Sequence, residues 1–174
     1  PTGSACSANR QQKAKDAAGV AADVAVAETV HTGKCHCGAV TFRATGLADV
    51  WYCHCRQCRS LTGHYMAACR TSRDALTLSG DVAWTQVSEH SSHGFCPQCH
   101  SPLFWSNDTR PTISVVLGSL DDDSGLAAAG HIFVSEKGHY YEITDGLPQY
   151  ETWPGDGPGS LASLSPALSA GEPA

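Results

Sequence analysis

The chain has 174 residues, 41% of them hydrophobic and 16% charged, which is enough apolar material for one folded core. It contains no apolar run long enough to cross a bilayer. Its formal charge of -6 becomes more negative once thiols ionise, so the sequence predicts no membrane insertion and no nucleic-acid partner.

Residues 1–30 are rich in Ala, Gln, Lys, Asp and Val, offer little to a core, and are expected to form an N-terminal tail. Between residues 31 and 154, short β-favouring runs alternate with turn residues. Strands are expected over 39–43, 50–52, 76–78, 103–105, 113–117 and 131–134. Gly46, Gly63, Gly80, Gly94, Gly118, Gly130 and Gly138 separate these runs at hairpin spacing, and helical periodicity is scarce. After Trp153-Pro154, the Gly-, Pro- and Ser-rich residues 155–174 read as a C-terminal tail. The expected fold class is mainly β: a single domain of hairpins and a folded-over sheet with flexible tails.

Of nine cysteines, seven fall into three tight groups between Cys35 and Cys99, leaving Cys6 and Cys69 apart. Disulfide-stapled domains spread their cysteines more evenly, and a Cys-x-Cys pair bridges only under strain. Clustered thiols predict metal binding in a reducing, cytoplasmic compartment. The first residues show no basic, apolar and cleavage pattern of a secretory leader, although Pro1 is not an initiator.

The first group, Cys35-His36-Cys37-Gly38, and the third, Phe95-Cys96-Pro97-Gln98-Cys99, together supply four sulfurs. Either pair alone reads equally well as a redox couple or as buried thiols. Two pairs facing each other predict a closed tetrahedral zinc on Cys35, Cys37, Cys96 and Cys99 that contributes directly to folding. The middle group, Cys53-His54-Cys55-Arg56-Gln57-Cys58-Arg59, offers only three sulfurs. A zinc on Cys53, Cys55 and Cys58 keeps a fourth position for a reacting ligand, and three thiolates suit it to a substrate thiol rather than to making hydroxide. The competing expectation is that His54 or a distant histidine closes this site.

His36 and His54 lie between ligating cysteines and are expected to point away from the metal, while His100 fits either role. Arg56 and Arg59 flank the three-cysteine group and read either as binders of ligand carboxylates or as solvated charges offsetting the thiolates. Trp51, Tyr52, Phe95, Phe104 and Trp105 are expected to pack core or rim rather than to stack on a ligand. Asp121-Asp122-Asp123 reads as a solvated acidic turn, Cys69 as a buried thiol and Cys6 as incidental to its tail.

The three cysteine segments, with Gly33-Lys34 before the first and Ala39-Val40 after it, resemble the glutathione-dependent formaldehyde-activating enzyme and centromere protein V family. Gly118-Ser119-Leu120-Asp121 and Asp145-Gly146-Leu147-Pro148-Gln149-Tyr150 extend the resemblance over roughly residues 31–154. It implies a β-tent fold, two zinc ions per chain on the cysteines named above, and a carbon–sulfur lyase that joins glutathione and formaldehyde into S-hydroxymethylglutathione. One departure is His100, which stands where the resemblance predicts glycine. The alternatives are a non-catalytic glutathione carrier using the same open zinc, and an interaction module that the zincs merely brace.

Overall fold

The computed structural model describes residues 29–155. The expected tails lie outside the described residues, apart from their inner ends, and so does Cys6. No helix among the described residues is long and apolar enough to cross a membrane.

The fold is mainly β, as the sequence predicts. A three-stranded sheet runs in the order β1 (Val30–Lys34), β2 (Thr41–Thr45), β5 (Leu76–Ser79). A seven-stranded sheet runs β10 (Ala128–Ile132), β3 (Ala48–Cys53), β4 (Met66–Ser72), β9 (Thr112–Val116), β8 (Pro102–Asn107), β7 (Ser91–Phe95), β6 (Ala83–Gln86). Every strand pairing is antiparallel except that of β10 with β3, which is parallel and closes one edge.

All six expected strands are present, as β2, β3, β5, β8, β9 and β10. The four others have weak local signals: β4 is built on Ala67, Ala68 and Cys69, and β7 reads Ser-Ser-His-Gly-Phe. Pairing on both sides places β4 and β7 in the sheet, where tertiary context outweighs propensity, while β1 and β6 are edge strands paired on one side. The sequence also under-reads a two-turn helix, α1 (Arg56–Thr62), too short to show an amphipathic period. It is framed by Cys55, whose sulfur accepts the Cys58 N–H, and by Gly63 in the left-handed conformation at φ 74°.

Register sorts the large sheet into two faces. Cys69, Val115 and Phe104 are paired across β4, β9 and β8, and all three are fully buried. Phe104 meets Phe42 of the small sheet edge-to-face at 5.3 Å, so this side is the apolar core between the sheets. Their neighbours Arg70, Ser114, Trp105 and His93 form the adjacent row and project from the opposite face, which also carries Met66 and Cys53. Trp51 on this side packs edge-on against Tyr150 and Trp153, and Arg70 lies over Trp153 at 4.9 Å. Cys35 and Cys96 of the four-cysteine group belong to the apolar core, Cys99 packs against it and Cys37 is exposed, whereas the three-cysteine group begins on the second face.

The two outlying segments of the sequence resemblance pin strands. A Cβ on Gly33 would lie 2.5 Å from the Ser119 carbonyl, and the Asp121 N–H donates to the Thr32 carbonyl, so residues 118–121 tie down β1. A Cβ on Gly130 would lie 2.6 Å from the Pro148 carbonyl. That close approach lets the His131 N–H donate to Pro148 and the Tyr150 N–H donate back to His131.

Candidate metal centres

The four-sulfur cluster grows out of two backbone turns. After β1, the Cys35 N–H donates to the Val40 carbonyl at 2.9 Å and the Val40 N–H reaches the Cys35 sulfur at 3.3 Å, with Gly38 supplying a left-handed φ of 79°. After β7, the Cys96 N–H donates to Ser101 and the His100 N–H to Cys96. His100 has φ 60°, which accounts for the expectation of glycine there; an imidazole-bearing residue in that conformation costs about 1 kcal/mol.

The sulfurs of Cys35 and Cys37 are 3.5 Å apart, those of Cys37 and Cys96 3.7 Å, and all four lie within 4.8 Å of one another. A tetrahedral ion with metal–sulfur bonds of about 2.3 Å sets its sulfurs about 3.8 Å apart, whereas a disulfide needs about 2.05 Å. The spacing fits a metal, and the cysteines are unbridged.

Ionisation within the cluster is uneven. Burial opposes the Cys35 thiolate, but the Val40 N–H and the Cys37 and Cys96 thiols outweigh it and lower its pKa. Ser101, through its hydroxyl and its N–H, brings Cys99 down to about 5. The Ala39 N–H favours the Cys37 thiolate, yet Cys35 and Cys99 overcome it and push that thiol up to about 12. A bound cation would relieve this competition and hold all four as thiolates. Ser101 was missed by sequence reasoning: its Oγ lies 3.2 Å from Cys99 Sγ and accepts the His36 N–H at 3.1 Å, joining the two turns.

The three-sulfur cluster has a different construction. Cys53 ends β3, Cys55 caps α1 and Cys58 sits in its first turn, so one strand end and one helix start bring the sulfurs within 4.8 Å. Hydrogen bonds from Cys53 and Cys58 hold the Cys55 thiol down to about 2, while Cys53 is pushed up to about 12 and Cys58 is also raised, in each case first by a neighbouring cysteine. Among the described residues this cluster gathers three metal-capable side chains, against four in the other.

His54 does not seal it. The imidazole is fully buried, with Nδ1 2.6 Å from the Tyr141 hydroxyl and Nε2 2.8 Å from His131 Nδ1, so both ring nitrogens are engaged away from the sulfurs. His131 Nε2 in turn lies 2.9 Å from the Asp145 carboxylate. Burial, then the nearby His131, lowers His54 to about 4, which keeps it neutral. Only the closing motif Asp145-Gly146-Leu147-Pro148 hinted at this chain, and its partners lie more than ten residues away.

Beside α1 is an open cleft of about 620 Å³ lined by Arg59, Ser135, Glu136, Lys137, Gly138, His139 and Tyr140. Phe133, in the left-handed conformation at φ 57°, turns the chain out of β10 and sends residues 134–140 along this wall. Arg59 is anchored by its Nε donating to the His54 carbonyl at 3.2 Å. Arg56 is exposed and outside the cleft lining, and its backbone N–H donates to Glu136 at 2.8 Å. His36 is exposed, Cys69 fully buried and the 121–123 acidic run exposed, with Asp121 also pairing with Lys34.

A family model described as glutathione-dependent formaldehyde-activating enzyme matches residues 30–136. Among solved structures, a crystal structure of a Rhodobacter sphaeroides protein is 24% identical and aligns over 54% of this chain and 91% of its own, with a TM-score of 0.44.

Proposed function

From the premise that this chain belongs to the glutathione-dependent formaldehyde-activating enzyme family, we propose that it is a zinc-dependent carbon–sulfur lyase or synthase that condenses glutathione with formaldehyde to S-hydroxymethylglutathione. The observation that carries this reading is the three-sulfur cluster of Cys53, Cys55 and Cys58, whose helix α1 also lends Arg59 to an open cleft.

Two zinc ions per chain are proposed, one on Cys35, Cys37, Cys96 and Cys99 and one on Cys53, Cys55 and Cys58. Zinc at the second position supplies the positive charge that makes an incoming thiol ionise near neutral pH. Cys55, held at the head of α1 by the Cys58 N–H, fixes one corner of that site. Arg59 and Lys137 suit the carboxylates of a peptide thiol, with Arg56 adding positive charge at the rim. The thiol sulfur then bonds to the aldehyde carbon, the carbonyl π pair moves to oxygen, and the oxygen takes up the proton that left the thiol. Residues 31–154 are proposed as the catalytic unit, working in the cytoplasm, with the flanking tails outside it.

Exchange NMR with 13C-formaldehyde and glutathione tests the proposal. Wild type should accelerate adduct formation and breakdown above the spontaneous rate, and Cys55→Ser should not. Thiol binding without turnover would leave a glutathione carrier; absence of thiol binding would leave an interaction module.

A further inference from the structure

His93 is 1% exposed, and neither of its ring nitrogens has a hydrogen-bond partner. Its one aromatic contact among the described residues is Phe95, with centroids 6.2 Å apart. An imidazole left unpaired in a folded interior forgoes on the order of 1–3 kcal/mol per polar group, so such groups mark places where something else binds. His131 and His54, equally buried, show the contrast, since every ring nitrogen of that pair is matched.

Its position gives a reason. His93 stands on β7 in the row Trp105, Ser114, Arg70, on the sheet face that carries Cys53 at the end of β3. The Gln57 amide of α1 donates to the Val87 carbonyl at 3.1 Å, and the Val87 N–H donates to the Ser91 carbonyl at 2.9 Å, so the helix that carries Cys58 abuts the hairpin that carries His93. The His93 nitrogens are nevertheless not part of the cluster in which the three sulfurs lie within 4.8 Å of one another, so the ring stands back from the sulfurs rather than among them.

We infer that His93 is a catalytic residue that hydrogen-bonds the oxygen of the aldehyde and of its thiol adduct at the three-cysteine site. This rests on the reaction proposed above. A neutral imidazole carries its donor and its acceptor on separate edges of the ring, so the N–H edge can donate to the aldehyde oxygen while the other edge accepts the proton that the thiol releases. In the reaction the sulfur–carbon bond forms, the carbonyl π pair becomes an oxygen lone pair, and the proton released by the thiol passes through His93 to that oxygen. Nothing is oxidised or reduced, and the imidazole ends neutral, as it began.

Cobalt-loaded wild type, His93→Leu and His93→Gln provide the test. Before thiol is added, the cobalt absorption bands of all three should coincide; a shifted spectrum in the variants would make His93 a metal ligand and overturn the inference. Glutathione should then shift the bands of all three alike. If wild type itself fails to respond, the proposed reaction falls rather than the role of His93 within it. With the thiol response intact, catalysed adduct formation should drop about 100-fold in His93→Leu and less in His93→Gln; an unchanged rate overturns the inference. Wild type labelled with 15N-histidine gives an activity-free readout that holds even if His93→Leu does not fold. Adding formaldehyde to the zinc- and glutathione-loaded protein should move both His93 nitrogens, and unmoved resonances count against it.

Discussion

The two cysteine clusters use the same ligand in opposite ways. The four-sulfur cluster is rooted in the apolar core by Cys35 and Cys96, 1% and 0% exposed, with Cys99 partly buried and Cys37 at the surface, and its two turns, separated by about sixty residues, are joined by Ser101. The three-sulfur cluster occupies one short stretch of chain, from the end of β3 to the first turn of α1, and the same helix lends Arg59 to an open cleft. Closing long loops makes a metal site part of the fold; gathering neighbours at a strand end leaves the ion's energy free for a ligand.

The widest gap should appear on replacing one sulfur in each cluster. Cys96→Ser removes a buried ligand whose ion holds two distant turns, and a loss above about 5 kcal/mol would use up most of a domain's stability. Circular dichroism and zinc analysis should find it unfolded or aggregated. Cys55→Ser keeps a good helix cap, so it should melt within a few degrees of wild type while losing at least about 100-fold in catalysed adduct formation. Equal melting of the two variants would erase the division of labour.

A second contrast comes from pH. His54 is held neutral near the open cluster, with its pKa lowered to about 4 from an unfolded value of about 6.5. Above 6.5 neither state is protonated, so the group does not affect stability there. As pH falls through 6.5 the unfolded chain takes up a proton that the folded one refuses, and stability declines until it levels off near 4. Urea unfolding at matched zinc content should show wild type losing on the order of 2 kcal/mol more than His54→Gln between pH 7 and 4.5.

Smaller effects sharpen the comparison further. Arg59→Gln should raise KM for glutathione about tenfold with kcat little changed, in steady-state assays, because it removes a charge-assisted contact to the substrate rather than to the reacting atoms. Ser101→Ala should cost about 1 kcal/mol in thermal unfolding and release the closed cluster's zinc faster to a chelator, leaving the open cluster's thiol response unchanged.

The sequence made the sulfurs legible because each group is local: Cys-x-Cys and Cys-x-x-Cys fix spacing before any tertiary structure forms. It also announced the strands whose β-branched and aromatic residues stand out, such as β8 and β9. It hid β4 and β7, where Ala, Ser and His take sheet conformation only because neighbours pair with them. For His54 the position between two cysteines predicted a side chain turned away from the metal, as found, but the contacts that hold it there run through Tyr141, His131 and Asp145, which only folding brings near. His93 carries no local signal at all, since one histidine in a polar strand reads as surface.

The order of the clusters along the chain has a consequence for synthesis. A ribosome releases Cys35 and Cys37, then all of Cys53, Cys55 and Cys58, and only some forty residues later Cys96 and Cys99. The nascent protein therefore displays a finished half-open trap for ions while the enclosed one is still missing half its jaws, and five early thiolates can share one ion in a non-native grouping. Correct loading then depends on exchange once the late pair emerges, and cells short of zinc or rich in a thiol-loving competitor should accumulate mis-sorted chains.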